Sequence, residues 1–366
     1  MNLVEVSLTD ARERILGDQS WFSVGQVARL GDGSGLIMTA RKQPMGPSGL
    51  WRIPYPQVRA EEMTTDPADY RGVSASRDTS LVVSVQSQRF TKLWMAPNGD
   101  AQQAKAIVPV IGLAFGLNWT TNGKIVFSSM IGDHLNISRI DPDGSNQIQL
   151  TVNAGDNYSP ATSPDGRYIV FPSYRSGSFN IWRMNAEDGS DLKQLTFGDA
   201  DSYPSCSADS KWVFYDNQNS SRITTWKVSI DGGDAVKLTD EYARMPVVSP
   251  DNQYMACRYY VENGAPKEIA IIPVQGGLPV RRLPIPGAQF QKVQWIANGR
   301  ALTYLDMVKG VSNIKSYNLD DGSTKQLTSF HDVGQIFSYA WSRDNTQLAY
   351  QRGNEVNNVI TISSQK

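Results

Sequence analysis

Histidine is nearly absent: 366 residues hold only His134 and His331. A catalytic zinc centre takes about three protein ligands, usually with histidine among them, so propeller lyases with a metal held by several histidines are a poor match. Cysteine is as scarce. Cys206 and Cys257 are too few for a disulfide framework, and both lie in strand-like runs, where Cys behaves as a small buried hydrophobe. They leave the compartment unread. Charge of one sign is lacking too, since 35 Lys and Arg stand against 36 Asp and Glu. There is no basic excess to hold a phosphate backbone, so nucleic acid is not expected as a partner. No apolar run of about 18 residues exists, so no membrane span is expected in this chain. The start "MNLVEVSLTDARERILGDQ" has neither the basic opening nor the apolar stretch of a signal peptide. Motifs of catalysis are also missing. There is no GxSxG; "GDGSG" at residues 31–35 has the wrong spacing, and neither a Lys nor a helix pattern follows it. No enzymatic activity, cofactor or metal is expected.

What the chain has instead is turns and aromatics: Gly 30, Pro 19 and 10% Phe, Trp and Tyr. They are organised by a repeat. A four-residue turn recurs as "GDGS" at Asp32, "SRDT" at Asp78, "TTNG" at Asn122 and "SPDG" at Asp165. It continues as "SADS" at Asp209, "SPDN" at Asp251, "IANG" at Asn298 and "SRDN" at Asp344. Successive positions are 42 to 47 residues apart. A short apolar segment precedes each turn, and an alternating one follows, as in "KIVFSS", "RYIVFP" and "KWVFYD". A polar loop leads to a third strand ("NIWRMNA", "TTWKVSI"), then a turn such as "EDGS" or "DDGS" and an edge segment such as "KQLT". Alternation of period two bounded by Asp, Gly and Asn is the signature of strands in hairpins.

Four antiparallel strands every 40-odd residues predict propeller blades. The expected fold is all-β: one eight-bladed β-propeller over residues 1–366. Its blades are placed at 22–66, 67–111, 112–154, 155–198, 199–240, 241–286, 287–330 and 331–366. The eighth copy ends on its third strand, while "LVEVSLTDARERIL" aligns with a third strand, a turn and a fourth strand. Residues 3–16 are therefore expected to complete the last blade, with 12–16 or else 3–8 as the closing edge.

The fullest copy, "SPDGRYIVFPSYRSGSFNIWRMNAEDGSDLKQLT", resembles the repeat of TolB-type propellers, which are related to WD-type repeats. More narrowly, segments such as "GLIMTARKQ", "DSYPSC" and "IAIIPVQGG" resemble the C-terminal propeller of bacterial, often acidobacterial, membrane-anchored serine/threonine kinases. The chain departs from that pattern at Ser138, Ala270 and Lys315, where a third-strand Trp is usual, and at Arg29. No kinase motif is present. The resemblance implies an extracytoplasmic, monomeric, non-catalytic sensory or docking module, tethered through a preceding region. The alternative is a free-standing periplasmic scaffold that binds a partner peptide. A propeller lyase or a peptidase accessory domain fits less well.

The repeated turn aspartates read as scaffold, because Asp bonds its own downstream amides in such turns. A site is instead expected where inner strands start: Tyr70, Phe115, Tyr158, Tyr203, Met245, Phe290 and Phe337, with Asp69, Arg71 and Arg244 beside them. If the copies superpose, these side chains ring one mouth of the central channel and would receive a protein, a peptide or a small ligand. The competing reading is that they pack blade against blade.

Overall fold

The computed structural model describes every residue except 18, 57–58, 109–114, 153, 220–221, 261–267, 284, 286–291, 297–298 and 364–366. The chain divides into two compact units, Met1–Arg89 with Glu355–Lys366 (unit 1) and Phe90–Asn354 (unit 2).

Unit 2 is built from six antiparallel four-stranded arrays, here blades A to F. Blade A comprises Leu117–Trp119, Ile125–Ile131, His134–Ile140 and Ile148–Gln149. Blade B follows with Ala161–Thr162, Tyr168–Ser173, Asn180–Asn185 and Lys193–Gln194. Asp201–Cys206, Trp212–Asn217, Thr224–Ser229 and Val236–Lys237 make blade C. Blade D holds Ala243–Val248, Tyr254–Tyr259, Glu268–Pro273 and Arg281–Leu283. Blade E is Gln294–Trp295, Ala301–Val308, Val311–Asn318 and Thr324–Gln326.

Blade F takes its inner strands from the chain's end, Gln335–Trp341 and the first half of Gln347–Ser363. Its outer strands come from far earlier: the second half of Leu81–Pro97, then Lys105–Val108. The ring is thus closed two strands on two. The Trp119 indole marks the seam, donating 3.0 Å to the Ala340 carbonyl and so joining blade A to blade F.

This overturns the expected closure. Leu3–Val6 and Glu13–Leu16 pair with each other, Val4 opposite Ile15, as a two-stranded hairpin in unit 1. Unit 2 holds six blades, and the copy expected at 67–111 is divided between the two units instead of forming one blade. The reason is local. "LVVSVQSQRFTKLWMAP" contains no Gly, Asn or Asp and no Pro before its last residue, so the second strand of that copy never turns back to meet its third. It runs on for 17 residues instead. Its tail enters blade F, and its front pairs with Asp69–Ala75 in unit 1. In the partner strand Gly353 sits where it does for space: a Cβ there would lie 1.7 Å from the Phe90 carbonyl oxygen.

Unit 1 also contains a four-stranded sheet, Ser23–Arg29, Gly35–Arg41, Gly49–Pro54 and Glu61–Glu62.

The blades interlock through apolar faces. Val170, Ile181 and Leu195 of blade B pack on Val213, Tyr215 and Val228 of blade C. Each such side chain removed from water stabilises by roughly 1.5–3 kcal/mol. The turns between first and second strands repeat one device, seen at Ser163: its Oγ bonds Asp165 Oδ1 at 2.6 Å and accepts the Tyr168 amide at 2.9 Å. Ser207 with Asp209 and Ser342 with Asp344 do the same at 2.6 Å. The turn aspartates are therefore spent on their own backbone. The seventh turn residue, Asn298, lies outside the described residues.

Candidate binding site

The inner strands of blades A to D share a left-handed residue at their start. Ser159, Tyr203 and Met245 all have positive φ (46°, 50° and 55°), each four residues before the Ser of its turn, and Gly116 (97°) takes the corresponding place before Thr120. Register shifts accompany it between Ser202 and Ser205 and between Arg244 and Val247. A left-handed residue re-aims the two side chains around it.

Of the residues expected at a channel mouth, Phe115, Tyr158, Tyr203, Met245, Phe337 and Arg244 stand in unit 2. Asp69, Tyr70 and Arg71 belong to unit 1, and Phe290 lies outside the described residues. The unit 1 group has local duties. Tyr70 is buried against Leu30, Ile37 and Val82, and its hydroxyl donates to Asp66 at 2.7 Å. Asp69 accepts from the Ser48 amide (2.8 Å), Arg41 (3.0 Å) and Arg71 (3.1 Å), and Arg71 also pairs with Glu355 at 3.1 Å.

In unit 2 the aromatics do come together. Tyr158 is the hub, edge-on to Phe115 (6.4 Å between centroids), Phe179 (5.2 Å) and Tyr203 (6.1 Å). Its hydroxyl is 2.8 Å from Ser202 Oγ, and burial raises its pKa far above the ordinary phenol value. Tyr158 and Met245 are buried, so what they offer is packing. Phe115 and Tyr203 keep accessible surface, whereas Phe337 keeps little. The Arg244 guanidinium lies 5.0 Å from the centre of the Tyr203 ring, a cation–π geometry.

Beside this cluster sit charged groups that the alternation pattern hid. Asp216 is fully buried; its Oδ2 accepts from Arg244 Nε at 3.1 Å and from the Met245 amide at 3.4 Å. Among the described residues its Oδ1 has no hydrogen-bond donor. Burial, only partly offset by Arg244, pushes the Asp216 carboxyl up to about 6. Arg258, 2% exposed, is the cross-strand partner of Arg244.

Lys292, just before the inner strand of blade E, reaches past blade D to donate to the Pro204 carbonyl on blade C. It retains some accessible surface although protein surrounds it on every side, as does Cys206. Desolvation lowers the ammonium to about 8, against the pull of Asp216, and pushes the Cys206 thiol up to about 12.

Asp216 and Arg258 occupy one position in their second strands, which Pro172, Leu305 and Gln351 fill in other blades. A charge at the fifth place of an otherwise apolar run ("WVFYD", "YMACR") was the available signal. Elsewhere, the His134 ring lies 3.7 Å from Asp156. Among the described residues no three His, Cys, Asp or Glu side chains gather as metal ligands, and no helix is long and apolar enough to cross a membrane.

Comparison with known proteins agrees with this architecture. The family described as the TolB beta propeller domain matches residues 92–292, all within unit 2. No curated protein matches the sequence. Among solved structures, TolB from Acinetobacter baumannii superposes with a TM-score of 0.54 at 13% identity, covering 86% of this chain and 79% of its own. A chain of the nidogen/laminin complex gives 0.50 at 15%, covering 70% and 96%. Oligogalacturonate lyase in complex with manganese gives 0.48 at 13%, covering 88% and 96%. Identities this low speak to fold alone.

Proposed function

Because this chain belongs to the TolB β-propeller domain family, we propose that it is a non-catalytic binding module whose unit 2 ring receives a protein or peptide where the inner strands begin. The observation that carries this reading is the convergence of Phe115, Tyr158, Phe179 and Tyr203 with Arg244 at that end of the ring. Aromatic rings with a stacked guanidinium supply apolar area and direction together, as anchors at protein interfaces do. The absence of a histidine-rich ligand set among the described residues favours binding over metal-dependent lyase chemistry. Resemblance to the kinase-linked propellers supports an extracytoplasmic docking or sensory role within a larger signalling protein, and a free-standing scaffold would use the same surface.

The test is selection of peptides from a displayed random library on the whole protein, followed by affinity measurement on Phe115→Ser and Tyr203→Ala. Both side chains are partly accessible, so the variants should fold. Selected peptides are expected to lose tenfold or more in affinity on each. Undiminished binding to both variants would reject this surface.

A further inference from the structure

Most of the four-stranded arrays fasten their last strand with one device. In blades A, B and E, a third-strand residue gives its amide to a Thr hydroxyl on the fourth strand: Ile137 to Thr151, Ile181 to Thr196 and Ile314 to Thr328, each at 2.9 Å. The carbonyl of the same residue accepts the amide of the Leu just before that Thr, at 2.8 Å each time. Blade C and the four-stranded sheet of unit 1 repeat the arrangement. The fastened residue is fully buried in every case.

One array lacks the device. In unit 1, Asp69–Ala75, residues 81–89 and residues 355–363 make three strands, and among the described residues no fourth strand pairs beyond the last. Its Asn358-Val359 matches the Asn136-Ile137, Asn180-Ile181 and Asn313-Ile314 of complete blades, yet Val359 is 75% exposed. Leu81 and Val83, on the same face by alternation, are exposed as well. Nor is this edge guarded. Residues 356–363, "VNNVITIS", carry no charge and no Pro, the devices that keep a free edge from pairing.

The complementary half is also in the chain. "VSLTD" at residues 6–10 repeats the "VKLTD" at residues 236–240 that forms the fourth strand of blade C. Leu238 and Thr239 are buried there, whereas Leu8 is 103% exposed and Thr9 is exposed beside it. Both lie at the turn of the N-terminal hairpin, a two-stranded unit of marginal stability by itself. Within one copy, the hairpin and the open array lie on opposite faces of the four-stranded sheet. Leu3 packs on the side of Met38 and Ala40, and Ile360 and Ile362 on the side of Ile37. The segment therefore has a sheet between itself and its own open edge, and a second copy has no such barrier.

We propose that two copies of this chain dimerise by exchanging residues 6–10. Each segment lies along residues 355–363 of the other copy as the missing fourth strand, with Leu8 covering Val359 and the Thr9 hydroxyl accepting its amide. The exchange is reciprocal and closes both edges, so assembly stops at two. It uses unit 1 and is independent of the aromatic cluster in unit 2.

The test is molar mass by light scattering on the whole protein from about 1 to 100 μM, a span that covers weak interfaces. The mass should rise from 40.4 kDa toward twice that value. Leu8→Asp and Val359→Asp alter exposed side chains, so both variants should fold, and each should stay monomeric at every concentration. Thr9→Val should weaken the dimer about tenfold, and Thr9→Ser should not. Cross-linking then reads the exchange itself. A mixture of Leu8→Cys and Val359→Cys copies should oxidise to a disulfide-linked pair faster than either variant alone.

A monomer at every concentration overturns the proposal, as does a dimer that survives either substitution to Asp. Val359→Cys linking to itself as fast as the mixture shows two open edges pairing with each other, and the role of residues 6–10 falls. A Leu8→Cys/Val359→Cys double variant that closes within one monomer assigns the segment to its own edge and overturns the exchange.

Discussion

Replacing Gly353 by Ala adds one methyl group at the tightest point of the seam. The ideal Cβ would lie 1.7 Å from the Phe90 carbonyl oxygen, 2.7 Å from its carbon and 2.8 Å from Thr91 Cα. All three are backbone atoms of the facing strand, so no side chain can swing away. Reaching an ordinary contact of about 3.2 Å requires the strands of blade F to part by more than 1 Å, which breaks ladder hydrogen bonds on both sides. That places the cost among severe core and backbone lesions, about 3–5 kcal/mol.

Gly177→Ala is the matched control. Its Cβ meets nothing within 4 Å, and its φ of +89° imposes only the left-handed penalty, about 1–2 kcal/mol. Scanning calorimetry with urea unfolding should therefore show Gly353→Ala losing about 6–15 °C in Tm and Gly177→Ala about 2–6 °C. Equal losses in the two variants would refute the argument that close approach of the strands, rather than glycine's flexibility, fixes residue 353.

Other tests follow from the same geometry. Trp119→Phe removes the indole donor to Ala340 across the seam and should cost about 1–2 kcal/mol in urea unfolding. Burial lowers the Lys292 ammonium to about 8 in the folded state, below its ordinary value of 10.5. Below pH 8 the ammonium is charged in both states and the fold carries its burial cost. Between pH 8 and 10.5 the unfolded chain holds more protons, so this group's contribution to stability rises with pH. Over pH 7.5 to 10 the wild type should gain up to about 3 kcal/mol from it, and a Tm series on Lys292→Met should lack that gain. Cys257 is buried, with its thiol pushed up to about 12, so a thiol reagent at pH 8 should label it at the rate of unfolding and at once in urea.

The four-strand unit was legible because its turn chemistry is written in sequence: Ser163 and Asp165 must be a Ser and an acid two apart to cap the hairpin. Closure was not legible. Period-two alternation says that residues 81–97 form a strand but not which neighbours it pairs with on each half of its length. Only the missing turn residues hinted that it would not fold back. At the candidate site, aligning the copies found Phe115, Tyr158 and Tyr203, since all three precede or occupy the same bulge. Tyr70 aligned equally well, yet its side chain lies in the unit 1 core. Asp216 and Arg258 escaped because a charge within an apolar run looks like an edge. Lys292 escaped because its importance lies in reaching a blade 88 residues away.

The two-on-two seam also sets a clock. The outer strands of blade F, ending at Val108, emerge from the ribosome long before Gln335–Trp341, the strand on which that blade is centred. At about 5–20 residues per second the delay is on the order of 10–50 s. During it blades A to E are added one after another to an open arc, with the flank of blade A bare where blade F will sit. Bringing the ends together then carries the loop-closure entropy of the whole ring at once. Nascent chains are expected to be most vulnerable to proteases and to mispairing in this interval. Once closed, the ring has no free end from which to unzip, so a brief liability during synthesis becomes a slow rate of opening thereafter.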